Sequence, residues 1–160
     1  MAQNRRPLTA TLEDSKLLFR NFAGAARQFN EEGKRNFHIF LEPKQAEAMA
    51  RDGWNVKNLK PRDEDQLVGD AHLKVLVNFK GRPPKIYMIT SKNKTPLTED
   101  TVMLLDNADI EKADVIINQY EYDPQGSPGK FTAYLEALYV TIRENELDRK
   151  YEEVPDSFLG

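Results

Sequence analysis

The sequence contains no cysteine, which excludes disulfide bonds, thiolate metal sites and cysteine nucleophiles. Its two histidines, His38 and His72, stand singly and lack a metal-ligating neighbour at HxH or HExxH spacing, so we interpret them as ordinary sheet residues. Glycine-rich phosphate loops and Ser/His/Asp patterns above chance are also missing. No apolar run approaches the roughly 20 residues of a membrane span, and the first residues lack the apolar core of a signal peptide. These absences favour a non-catalytic cytoplasmic protein that needs no cofactor or metal.

A chain of 160 residues predicts a single domain with its own core. Residues 1–14 are polar and aperiodic, and we expect them to form a flexible N-terminal arm. Residues 15–145 carry the periodic patterns of the folded domain. Residues 146–160 are predicted to be an acidic C-terminal tail.

Charge is unevenly distributed along a chain whose formal net charge is only -3. Residues 71–97 hold six basic side chains and no acid, whereas the last 17 residues hold six acids against Arg149 and Lys150. A positive sheet surface suits a polyanion, and an acidic tail would compete with that polyanion or recruit another partner. The charge distribution therefore indicates nucleic acid as a partner.

Period-two alternation of apolar side chains predicts about six strands. They cover residues 17–22, 35–41, 73–79, 85–90, 113–122 and 130–142. Short turns between them predict that the first two strands, the central two and the last two each form a hairpin. The alternation of the last strand slips near Glu136, which predicts a β-bulge there.

Two short helices are predicted between these strands. The first opens at Pro43 and ends before Gly53, and the second covers 99–107 with Thr98 as its N-cap. Hairpins with few crossover helices favour a mostly antiparallel sheet that closes on itself. We therefore predict a mainly β fold, an OB-fold-like Greek-key barrel, with a β-sandwich as the alternative.

Binding of a single-stranded nucleic acid needs cations that follow the phosphates and flat side chains on which bases rest. The two central strands and their turn combine both features on one predicted face. This face carries Lys74, Lys80, Arg82, Lys85 and Tyr87. An ordinary solvated face is the alternative, but such faces mix charges of both signs, and acids are missing here.

Two other segments repeat the combination of rings and cations. Residues 53–62 supply Trp54, Lys57, Lys60 and Arg62, again without an acid. A lone tryptophan is more often a core residue, so Trp54 has two interpretations, core or stacking platform. Near the first hairpin, Arg35 adds a charge, and Phe29 beside a turn is the preferred base contact.

The acidic run at 63–65 could gather a hard cation, as a nuclease would require. A lysine and further acids are not visible around it in the sequence. Nuclease activity is therefore the third hypothesis.

Four runs of the sequence resemble small single-stranded-DNA-binding proteins encoded by tailed bacteriophages, a divergent OB-fold group. They are FAGAARQFNEEGKRNFHIFL, GWNVKNLKPRDED, VNFKGRPPKIYMITS and VTIRENEL, and the resemblance covers roughly residues 17–156. It implies sequence-tolerant, non-catalytic coating of single-stranded DNA in phage replication, recombination or repair, in the host cell cytoplasm. It transfers no contact residue to this chain.

The end of the chain is similar to the acidic tails with which bacterial single-strand binders dock replication partners. It departs from them because Leu159 and Gly160 follow the aromatic Phe158. The tail either docks replication or recombination proteins or only keeps the protein soluble, and the sequence does not favour one of these roles over the other. The rival function is a protein-interaction module or DNA mimic that inhibits a host enzyme through this tail. Self-association would suit a coating protein, although the sequence shows no heptad pattern that predicts it.

Overall fold

The computed structural model of the chain describes residues 8–28, 30–59, 69–123 and 126–144. These residues form nine strands, one α-helix and one short 3-10 helix. The strands are β1 (Thr9–Ser15), β2 (Leu17–Asn21), β3 (Arg35–Leu41), β4 (Val56–Asn58), β5 (Ala71–Val77), β6 (Lys85–Ile89), β7 (Lys94–Leu97), β8 (Ile110–Asp123) and β9 (Ser127–Ile142). The helices are α1 (Pro43–Arg51) and the 3-10 helix Val102–Asp106. None of the helices in these residues is long and apolar enough to cross a membrane.

All nine strands belong to one mixed sheet in the order β1-β8-β9-β5-β3-β2, with β4 paired to β5, β6 to β9 and β7 to β6. Six of the strand pairs are antiparallel, and the two that β9 forms with β5 and β6 are parallel. The mainly β prediction is therefore confirmed. Among the described residues β1 and β2 do not pair with each other, so the predicted closure into a barrel is not confirmed.

The predicted central hairpin is wrong. β5 and β6 both run parallel to β9, with Val75 opposite Ala133 and Lys85 opposite Ala137. The intervening residues 78–84 include two consecutive prolines, whose nitrogens carry no hydrogen to donate and whose φ angles are fixed. A tight hairpin turn is therefore disfavoured, and the chain continues along the same edge of β9.

Other predictions at the level of elements are confirmed. β2 pairs antiparallel with β3, and β8 pairs antiparallel with β9. Ile116 lies opposite Ala137 and Ile117 opposite Leu135, which leaves Glu136 as the bulged residue. Helix α1 begins at Pro43 and is followed by Gly53 with φ 93°, a conformation that favours glycine.

The predicted second α-helix is instead a single 3-10 turn. Arg20 donates hydrogen bonds to the carbonyls of Leu105 and Ala108 at 2.7 and 2.8 Å, and Asp106 accepts from the backbone of Phe22 and Ala23 at 2.6 and 3.0 Å. These hydrogen bonds satisfy backbone carbonyls at the end of the turn and connect the turn to the end of β2.

The flexible arm predicted for residues 1–14 is too long. Residues 9–14 lie in β1, which pairs with β8 from Thr9 opposite Asn118 onward. Leu12 of this strand is buried in the core. The burial of this apolar side chain stabilises the strand, although most of its other residues are polar.

The core lies on one side of the sheet and is built from alternate residues of the strands. Phe22 and Phe37 are fully buried and stack with ring centroids 5.1 Å apart. Trp54 is only 5% exposed and belongs to the same core. Its interpretation as a base-stacking platform is therefore corrected, because a base cannot reach a buried ring.

Candidate nucleic-acid interface

The register of the strands defines one continuous surface on the side of the sheet away from the core, here called the outer face. His38 lies opposite Lys74, Leu76 opposite Tyr134, and Tyr134 opposite Asn118, so β3, β5, β9 and β8 contribute to it in turn. Their neighbours along each strand point into the core. Side chains from distant parts of the chain therefore share this face.

Lys85 and Tyr87 join the outer face, as predicted, but through β9. Lys85 lies opposite Ala137 and Tyr87 opposite Tyr139. The bulge at Glu136 places Ala137 and Tyr139 on the same side of β9 as Tyr134. β5 and β6, the two strands of the basic stretch 71–97, therefore contribute to one surface.

The loop 78–84 brings two cations beside this face. Lys80 and Arg82 are exposed, and neither forms a salt bridge with a described residue. The Asn78 side chain accepts a hydrogen bond from the Lys80 backbone at 2.9 Å, and Gly81 has φ 77°, which together shape the turn. Both cations line a groove of about 420 Å³.

Two tyrosines line the same groove. Tyr120 of β8 is 63% exposed and meets Tyr134 of β9 edge to face, with ring centroids 5.8 Å apart. Sequence reasoning did not single out either residue. The signal was present in the alternation of β8, where buried Ile117 and Gln119 place Tyr120 on the opposite side.

A second aromatic cluster lies further along β9. Tyr87 and Tyr139 stack with centroids 5.4 Å apart and planes 16° apart. The Lys94 ammonium lies 4.4 Å from the centre of the Tyr87 ring and 5.5 Å from that of Tyr139, a cation–π arrangement. The ring of Tyr87 is half-buried by these neighbours, and Lys94 is a cation that sequence reasoning did not select.

The two histidines contact each other on the outer face. Their Nδ1 atoms are 2.8 Å apart, so one ring donates its Nδ1 hydrogen while the other accepts. Burial lowers the pKa of His38 to about 4, with the charges of His72 and Lys74 adding to the effect. Burial, with the charge of Lys57, also lowers the pKa of His72. Both rings are therefore neutral near pH 7.

The remaining predicted site residues fall into three groups. Lys57 and Lys74 are exposed on β4 and β5, and Lys57 lies opposite His72 on the outer face. Arg35 is half-buried, with its guanidinium 3.4 Å from the Glu99 carboxylate, so its charge already has a partner. Phe29, Lys60 and Arg62 lie outside the described residues.

The described residues contain no group of three or more histidine, aspartate or glutamate side chains arranged to hold a metal ion. The acidic run 63–65, on which the nuclease hypothesis depends, lies outside the described residues.

The fold is a mainly β structure with a mixed sheet. Its outer face combines one exposed and several half-buried tyrosines with lysine and arginine side chains that form no salt bridge with a described residue. A family model described as "Putative phage ssDNA-binding domain" matches residues 1–158, and the chain belongs to this family. The resemblance seen in the sequence is thereby confirmed.

Solved structures similar to this chain include a C-terminal truncation of the single-stranded DNA-binding protein from bacteriophage Enc34. Its sequence is 6% identical to this chain and its structure matches with a TM-score of 0.52. The match covers 86% of this chain and 87% of that one. The same phage protein in complex with ssDNA gives 6% identity and a TM-score of 0.48, over 86% and 88% of the two chains. No curated protein sequence matches the chain.

Proposed function

We propose that this protein binds single-stranded DNA with little sequence preference and coats it during phage DNA replication, recombination or repair. The observation that carries the proposal is the groove where Lys80 and Arg82 lie beside Tyr120 and Tyr134. Cations attract the phosphates of a strand, and exposed rings offer π-faces to unstacked bases.

The composition of this surface favours tolerance of base sequence. Stacking on tyrosine is available to every base, and lysine and arginine that contact phosphates do not read base edges. Preference for a single strand follows from the same rings, because the bases of a duplex are already stacked and paired. The protein would carry out no chemistry and would act in the cytoplasm of the host cell.

Fluorescence-anisotropy titration of a labelled oligo-dT of roughly 30 nucleotides, which is longer than one OB-type site, tests the proposal. The matching duplex serves as the control, and both are titrated at two salt concentrations. We expect tight binding of the single strand alone, with an affinity that falls with salt by a log–log slope of about -0.7 per neutralised phosphate.

Failure to bind the single strand at low salt would reject the proposal. The leading function would then be an interaction module that acts through the acidic tail, as the charge distribution of the sequence allows.

A further inference from the structure

Phe19 has an unusual position on β2. The residue is 56% exposed, and its φ angle of 50° lies in the left-handed region that L side chains with a Cβ rarely adopt. The register of β2 against β3 shifts between Leu18 and Asn21, so Phe19 lies within this irregularity. The left-handed backbone conformation of Phe19 costs free energy, and its exposed ring recovers little of that free energy through burial. Strain of this kind is often kept at functional sites, so Phe19 is a candidate for binding.

The ring of Phe19 lies against the histidine pair of the outer face. Its centroid is 5.3 Å from that of His38 and 6.2 Å from that of His72, with interplanar angles of 89° and 78°. Both contacts are edge-to-face, so neither imidazole forms a parallel stack with the phenyl ring. The histidines fix the ring in place while more than half of the residue stays accessible.

Two exposed lysines flank this cluster. Lys74 lies opposite His38 across β3 and β5, and Lys57 lies opposite His72 across β4 and β5. A ring with cations on the adjoining strands is the combination that a base and its phosphates require.

The cluster is also within reach of the groove. β3 and β5 separate β2 from β9, so these two strands are three strand spacings apart across the sheet, or about 14 Å. Along the strands, Leu18 beside Phe19 is level with Lys74, two residues from the Leu76 that lies opposite Tyr134. One short stretch of nucleotides could therefore contact both.

We propose that Phe19, held by His38 and His72 and flanked by Lys57 and Lys74, is a second base-stacking subsite for the single strand that occupies the groove. This inference rests on the proposed function and adds to it a path for the strand across β9, β5 and β3. The subsite would take any nucleobase, since stacking depends on a π-face and not on base edges.

Three variants of the full chain, titrated with labelled oligo-dT of about 16 nucleotides, test the subsite. F19L keeps an apolar side chain but removes the ring, F19W restores a ring, and L104A removes an apolar side chain that is 54% exposed on the 3-10 helix. We expect F19L to weaken binding about five- to 150-fold, which corresponds to the loss of one stacked base. F19W should bind more tightly than F19L because it keeps a π-face, and L104A should bind within about twofold of the wild type because it leaves the outer face intact.

Emission from the F19W variant gives a direct readout of contact. The only natural tryptophan, Trp54, is buried, so we expect oligo-dT to quench the variant strongly and the wild type little. Wild-type affinity for F19L, or no additional quenching in F19W, would overturn the subsite. If the wild type itself did not bind the oligonucleotide, the proposed function would fail, which is a different result from selective failure of the Phe19 variants.

Discussion

Tyr134 is the residue that joins the groove to the rest of the outer face. Its ring contacts Tyr120 edge to face, and its backbone position lies opposite Leu76 of β5 and Asn118 of β8. A base that enters the groove beside Lys80 would therefore meet this ring. Stacking on this residue would use the aromatic face and not the phenolic oxygen.

We predict that Tyr134→Leu weakens binding of oligo-dT by about 1 to 3 kcal/mol, the contribution of one stacked base. Tyr134→Phe should bind like the wild type, because it keeps the ring. Anisotropy titrations of the two variants measure the difference, and thermal unfolding confirms that both are folded. Equal binding by the leucine and phenylalanine variants would show that Tyr134 does not stack.

The histidine pair predicts how stability depends on pH. The pKa of His38 is lowered from 6.5 in the unfolded chain to about 4 in the folded protein, mainly by burial. Between these two pH values, His38 is protonated in the unfolded state but not in the folded state. The free energy of unfolding therefore decreases as the pH falls from 6.5 towards 4. Above 6.5 both states are neutral at this residue, and its contribution no longer changes.

Urea unfolding at pH values above, between and below these two pKa values measures the effect. We expect the midpoint of the wild type to fall through this window, and His38→Asn, which keeps a polar partner for His72, to show a smaller fall. His72 retains part of the dependence because its pKa is also lowered. Identical pH profiles for the two proteins would contradict the assignment.

At the scale of elements, the sequence pattern within each segment predicted the position of several strands and of the β-bulge. Alternation located β3, β5, β6 and β9, and the slip in period located the bulge at Glu136. Pairing of strands far apart in sequence was not predictable in the same way. The parallel contacts of β5 and β6 with β9 join residues far apart in sequence, and the two prolines of the 78–84 loop act against the hairpin that alternation alone predicts.

The exposure of the cations of the candidate site could be predicted from the sequence, but the position of its aromatic rings could not. Lys74, Lys80, Arg82 and Lys85 share a run without acids, and the structure leaves them exposed. Tyr120 and Tyr134 come from β8 and β9, so only the sheet register shows that they lie beside the loop. Whether a ring such as Trp54 faces the core depends on tertiary packing, which a short segment does not encode.

The 3-10 helix gives a stability prediction for an element. Asp106 accepts hydrogen bonds from the backbone of Phe22 and Ala23, and such bonds to a charged acceptor are stronger than neutral ones. Asp106→Ala should lower the free energy of unfolding by about 2 kcal/mol, because the two donors lose their acceptor. Asp106→Asn, which keeps one acceptor oxygen, should lose less, as measured by urea unfolding. An alanine variant as stable as the wild type would show that these bonds do not hold the turn.

The 78–84 loop and the start of β6 give a prediction for binding. Replacing Lys80, Arg82 and Lys85 together by alanine should weaken binding at low salt and reduce the log–log salt slope by about 2, the value for three phosphate contacts. The matched control replaces three exposed cations outside the basic stretch, Lys34, Lys44 and Arg51, and should leave the slope unchanged. Unchanged binding and salt dependence in the first variant would reject this surface as the interface.

The charge distribution acts at the scale of the whole molecule. A basic outer face and an acidic tail on one chain would attract each other, and a strand of DNA would then compete with the tail for the same cations. Residues 146–160 contain five acids and two bases, so their removal takes the formal net charge from -3 to 0. Electrostatic competition of this kind weakens as salt screens the charges.

We therefore predict that a chain ending at residue 145 binds oligo-dT as tightly as the full chain or more tightly, with the largest gain at low salt. A second variant, in which the five tail acids become glutamine or asparagine, keeps the length of the tail and should show the same gain if charge is the cause. Anisotropy titrations at two salt concentrations compare the three proteins. Weaker binding by the truncated chain would contradict competition and would indicate that the tail contributes to the bound state. Unchanged DNA binding combined with loss of a protein partner would instead assign the tail to docking, as its acids and Phe158 allow.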